Sequence, residues 1–215
     1  MSDKQVVNET DEMGIPLKSA FPEKPPVALL IIVVNTIPTI IGLVIAHFLV
    51  NATADAAIDI LSSYELGWLY LGIFLLKLFQ IPQTILLGTT RKACKVNPPD
   101  QHVYKVMGTN GLAEQLGYVL MENEGDIGRF NRAQRAFMNY HEAFPTVALL
   151  YVAAGFVFPL ASFITMVVFS LARVVSAVGY VKSENSRNNT LVPTLLAVSI
   201  LHGMVGIAAY HALSS

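Results

Sequence analysis

The stretch RFNRAQRAFMNYHEAFP, residues 129–145, runs straight into an apolar segment, Thr146 to Phe158, with the composition of a membrane helix. Read as helix, Arg135, Asn139 and Glu142 fall at i, i+4 and i+7, and Arg132 sits one turn earlier on the same face. A polar stripe thus enters a hydrophobic segment. On insertion scales each charge at mid-membrane costs about 2.5–3.5 kcal/mol, so a charge placed there usually lines a site or a protein-buried cavity. Arginines that snorkel to headgroups account for Arg129 and Arg132. They account poorly for Glu142, which lies about 15 Å beyond Arg132 at 1.5 Å per residue.

Composition sets the class around this stretch. Of the 215 residues 53% are apolar and 13% charged, with a mean hydropathy of +0.53. Soluble domains carry about 25% charged residues, so the chain reads as an integral membrane protein. A net charge of −1 argues against a nucleic-acid partner. The single cysteine, Cys94, excludes an intrachain disulfide and a thiolate metal cluster. No histidine pair stands at ligand spacing beside carboxylates, so no metal site is expected, and His47, His202 and His211 are isolated in apolar runs. No glycine-rich phosphate loop or nucleophile elbow is present.

The remaining chain divides by hydropathy. Residues 1–26 form a polar tail. Val27 to Val50 is an uncharged run long enough to span a bilayer, and it is too long for a signal-peptide core. It is read as a retained anchor with a kink at Pro38. Residues 51–65 hold acids and no Lys or Arg. Spans are expected at Leu66–Thr90, with Lys77 near its middle, at Asn131–Phe158, at Leu160–Val181 and at Val192–Leu213. Leu112, Leu116, Val119 and Leu120 fit one face of a short amphipathic helix, broken by Gly125 and Gly128. The fold class is all-α, five membrane helices, with residues 66–213 as one four-helix domain. The basic residues place the N-terminus and the long connection in the cytosol and the C-terminus on the opposite side.

Charges inside the spans form a constellation. Arg173, Ser176 and Tyr180 lie at i, i+3 and i+7 in the fourth span, and Arg187 follows in the adjoining loop. Arg91, Lys92, Arg132, Arg135, Arg173 and Arg187 are expected to converge around Glu142 as a buried carboxylate. Lys77, at similar depth, is expected to pair with Glu142 across helices or subunits. A collar binding anionic lipid headgroups explains the arginines but requires neither Asn139 nor Glu142. A small polyanion that also carries an amine explains both, with carboxylates on the arginines and an ammonium on Glu142.

The same residues carry a resemblance. NRAQRAFMNYHEAFP resembles the signature of the family of membrane-associated proteins in eicosanoid and glutathione metabolism, R-A-x-x-N-x-x-E-x-x-P. Arg135-Ala136, Asn139, Glu142 and Pro145 match it in order. Thr90 to Ala93 with Asn97-Pro98-Pro99 resembles the end of the family's first helix, and Ala172-Arg173 with Gly179-Tyr180 its third. The family includes microsomal glutathione transferases, leukotriene C4 synthase and a non-enzymatic lipoxygenase-activating protein.

The resemblance implies a four-helix subunit in a homotrimer of the endoplasmic reticulum membrane, with glutathione bound as a substrate in sites open to the cytosol. It implies that Arg135, Asn139, Glu142, Arg173 and Tyr180 bind glutathione, with Arg91, Lys92 and Arg132 lining the same cleft. Arg187 falls at the position of the thiol-activating arginine. Ser176 stands where several members have Tyr or His, and it is a candidate to contact the sulfur. The expected activity is a glutathione transferase or peroxidase acting on a lipophilic electrophile or lipid hydroperoxide. The alternative is a non-catalytic lipid-binding scaffold. Residues 27–50 add a helix ahead of the family's first.

Overall fold

A computed structural model describes residues 15–50, 52–98, 100–104, 121–183, 186 and 190–214. Arg187 and the expected amphipathic helix at 112–120 lie outside the described residues. Among the described residues the chain forms six helices: α1 Val27–Leu49, α2 Ala52–Ser63, α3 Gly67–Cys94, α4 Gly125–Gly155, α5 Pro159–Lys182 and α6 Leu191–Ser214. The protein is all-α.

Four of these helices, α1, α3, α5 and α6, are long and apolar enough to cross a membrane. The third expected span corresponds to α4, which is 31 residues long. Its polar N-terminal half keeps it out of that group on composition. At 1.5 Å per residue α4 measures about 46 Å, against about 30 Å for a hydrocarbon core, so polar turns extend past the apolar ones.

α4 and α5 form the centre of the bundle. α3 packs against both on one side and α6 against both on the other, while α1 packs on α3. Leu69 and Leu76 of α3, Tyr140, Val147 and Tyr151 of α4, Met166 and Phe169 of α5, and Leu201 of α6 make the main core. Between apolar helices in lipid, close van der Waals packing and interhelical hydrogen bonds supply the association. Here the Tyr151 hydroxyl reaches the carbonyl of Leu69 at 3.0 Å and locks α4 to the start of α3.

Two details differ from the sequence expectation. Residues 52–63, for which the sequence reading assigns no helix, form α2, whose alanines favour helix and whose Asp55 sits in the first turn. Gly125 and Gly128, expected to end the amphipathic helix at 112–120, lie at the start of α4, which begins ahead of the expected span start at Asn131. Gly125 opens it with φ +59°, and a Cβ on Gly128 would collide with the backbone of Asn123. Glycine there allows the incoming chain to fold back tightly over the helix start. α1 runs as a continuous helix through Pro38, with Asn35 Nδ2 donating to the Ile31 carbonyl at 2.8 Å and Thr39 Oγ1 to that of Asn35 at 2.7 Å.

Candidate functional site

The stripe on α4 opens into a cavity of about 360 Å³ lined by Arg135, Asn139 and Glu142 together with His102, Tyr104 and Met121. Helical spacing presents the three α4 residues to one side. The other wall comes from a loop, and α4 itself holds that loop in place. Asn131, one turn before Arg135, accepts from Val103 N–H at 3.0 Å and donates through Nδ2 to the carbonyls of Val103 at 2.8 Å and Glu122 at 2.7 Å. Tyr104 and Met121 pair as an antiparallel bridge beside it. Glu122 Oε1 receives the N–H groups of Asn123 and Glu124 and shapes the entry to α4.

A second cavity, about 290 Å³, lies between α4, α5 and the start of α6 and is lined by Asn139, Arg173, Ser176, Tyr180, Thr190 and Thr194. Asn139 lines both cavities. The candidate residues therefore fall into two adjoining groups, Arg135 with Glu142 and Arg173 with Ser176 and Tyr180, joined through Asn139.

Three of the expected cations go elsewhere. Arg91 is buried. It donates to Gln134 Oε1 at 3.1 Å and lies over the Phe130 ring, 4.9 Å from its centroid. Lys92 Nζ reaches the carbonyls of Pro22 at 2.6 Å and Glu23 at 3.1 Å, holding residues of the N-terminal tail against α3. Arg132 binds the Asn123 carbonyl through Nη1 at 2.6 Å and the Val181 carbonyl through Nε and Nη2, both at 3.3 Å. None of the three lines either cavity. Their guanidinium and ammonium donors go to backbone carbonyls and a buried amide oxygen. Among the described residues of one chain the cations do not converge, and Glu142 is exposed rather than buried. Lys77 is exposed on α3 and makes no ion pair with Glu142 within the chain.

His102, Tyr104, Met121, Thr190 and Thr194 were not expected at the site. No local motif marks them; the hydrogen bonds of Asn131 and the packing of α6 bring them there. Burial first, and then the guanidiniums of Arg135 and Arg91, hold the His102 imidazole below its ordinary pKa. It is neutral at pH 7.

The sequence that builds these two cavities also matches a family model. The MAPEG family model covers residues 68–210. The chain belongs to the MAPEG family. The match takes in α3 to α6 and both cavities, and leaves α1 and α2 outside. MAPEG membership supports a membrane-bound role in glutathione or eicosanoid metabolism. No curated protein matches the chain.

Proposed function

We propose that this protein is a membrane-bound glutathione transferase or peroxidase that activates the glutathione thiolate against a lipophilic electrophile or lipid hydroperoxide. The observation that carries the reading is the pair of cavities joined at Asn139, one with a cation and a carboxylate, the other with a cation and four hydroxyls. Glutathione has two carboxylates, one ammonium and one thiol. Arg135 suits a carboxylate, Glu142 the ammonium, Asn139 the peptide groups, and Arg173 with Tyr180 the remaining anionic end. Arg91, Lys92 and Arg132 act on the protein's own groups in this reading.

Chemistry requires the thiolate. A cysteine thiol has a pKa near 8.5, and a guanidinium beside the sulfur favours the charged form. Arg187 is the candidate from the family resemblance, and Ser176 is the candidate hydrogen-bond donor to the sulfur. Thiolate attack on an electrophilic carbon forms a thioether as a leaving anion departs, an epoxide C–O bond opens, or an alkene π bond breaks and takes up a proton; attack on a hydroperoxide oxygen releases an alcohol and leads, with a second thiol, to a disulfide and water. The second substrate enters from the bilayer. Its assembly as a homotrimer in the endoplasmic reticulum with the site facing the cytosol belongs to the same proposal.

Thiol consumption by the purified protein, with 1-chloro-2,4-dinitrobenzene or cumene hydroperoxide as second substrate, tests this reading. Retention on immobilised glutathione without turnover of either would favour the scaffold role instead.

A further inference from the structure

We propose that His102 is a proton-coupled anion contact of the candidate site: its imidazole meets the same carboxylate that Arg135 receives, so that binding draws a proton from solution. This rests on the glutathione reading but does not follow from it. A site held by arginines alone binds a carboxylate without moving a proton.

The geometry brings the two side chains to one cavity. His102 and Arg135 both line it, and the backbone beside His102 is pinned to Asn131, one helical turn from Arg135. His102 Nε2 is buried and, among the described residues, has no hydrogen-bond partner. A buried ring nitrogen without a partner is an unfavourable arrangement that a ligand can relieve. Carrying a proton, it becomes a charge-assisted donor to a carboxylate oxygen.

Among the described residues the charges near His102 are Arg135 and Glu142 from α4 and Arg91 from α3, with the Tyr104 ring beside it in its own segment. In the free protein burial and the two guanidiniums keep the imidazole neutral at pH 7. A carboxylate seated against Arg135 offsets that field and places an anion within reach of the ring, and both effects raise its pKa. The bound state therefore holds the proton more tightly than the free state. Affinity is greatest below the free-state pKa and is lost as pH rises through the bound-state pKa. Between the two it changes by up to about tenfold per pH unit.

The test uses the full-length protein and S-methylglutathione, whose blocked thiol cannot release a proton. Titration calorimetry between pH 6 and 8, in buffers of different ionisation enthalpy, reads both affinity and protons moved. We expect uptake of a fraction of a proton near pH 7 and tighter binding as pH falls. His102→Gln should abolish both. The exposed His141, whose Nδ1 faces the Phe137 carbonyl at 2.9 Å, should be replaceable by glutamine without effect on the uptake. If His102→Gln does not fold, the protein carrying His47→Gln, His141→Gln, His202→Gln and His211→Gln retains His102 as its one histidine, and uptake must persist in it. Binding without proton uptake, or uptake that survives His102→Gln, overturns the role of His102 and leaves the glutathione reading intact. No binding at any pH overturns the glutathione reading and the role of His102 with it.

Discussion

Asn131 and Val103 exchange a pair of hydrogen bonds, Val103 N–H to Oδ1 at 3.0 Å and Nδ2 to the Val103 carbonyl at 2.8 Å. Asn131 is itself almost fully buried. One amide side chain on α4 thus substitutes for a backbone partner and holds a wall of the cavity over the Arg135 stripe.

Removing that amide should open the wall. Asn131→Ala gives up three hydrogen bonds, each contributing about 0.5–1.5 kcal/mol net, and takes the Asn131 partner from the Val103 N–H and the Glu122 carbonyl. The expected result is faster amide exchange at residues 100–104 and weaker glutathione binding. Unchanged exchange there would show that other contacts hold the loop.

Arg132 and Arg135 are one turn apart yet should behave differently. Arg132→Met removes charge-assisted bonds to the Asn123 and Val181 carbonyls, so it should lower the unfolding temperature in detergent, with a loss of about 1.5–3 kcal/mol for each bond of good geometry. The protein that remains folded should bind glutathione nearly as well as the wild type. Arg135→Ala should weaken binding at every pH with little change in stability, since it contacts a group that is anionic throughout. The reverse pattern would return Arg132 to the site.

Arg187 is expected to act on ionisation rather than on binding. Losing an interaction that lowers the thiol pKa by ~1–3 units should cut turnover of Arg187→Ala roughly ten- to a thousandfold at neutral pH. Sign matters here. The thiolate fraction falls only below the raised pKa, so raising the pH should restore much of the rate. An unshifted pH–rate profile with wild-type turnover would show that another residue activates the thiol.

Gln83 of α3 is 3% exposed, and among the described residues neither its Oε1 nor its Nε2 has a hydrogen-bond partner. An amide buried in that way costs about 1–3 kcal/mol by mutational measures. Gln83→Met, similar in volume and free of polar demand, should raise the unfolding temperature. A fall would mean that the amide has a partner in the assembled protein.

What could be read in the sequence was local. The 3.6-residue period is a property of the backbone, so the alignment of Arg135, Asn139 and Glu142, and of Arg173, Ser176 and Tyr180, followed from spacing alone. So did the apolar runs, because twenty residues of hydrocarbon-compatible composition have few other destinations. The resemblance carried by residues 131–145 led to the family whose model covers 68–210. The helix α2 was not legible, since twelve residues of mixed polarity carry no strong period.

The destinations of the other charges belong to tertiary structure. An arginine's position on a helix does not say which carbonyl lies within its reach; Arg132 bonds to Val181, 49 residues away, and Arg91 to Gln134, 43 away. Arg132 and Arg135 have the same chemistry and the same helix, and the packing of α5 and the return of the chain at Asn123 separate a cation bonded to backbone carbonyls from one that lines a cavity. His102 entered the cavity for the same reason. Nothing in its neighbours marks it, and a buried asparagine on a distant helix put it there, because the backbone groups at Val103 had to find partners.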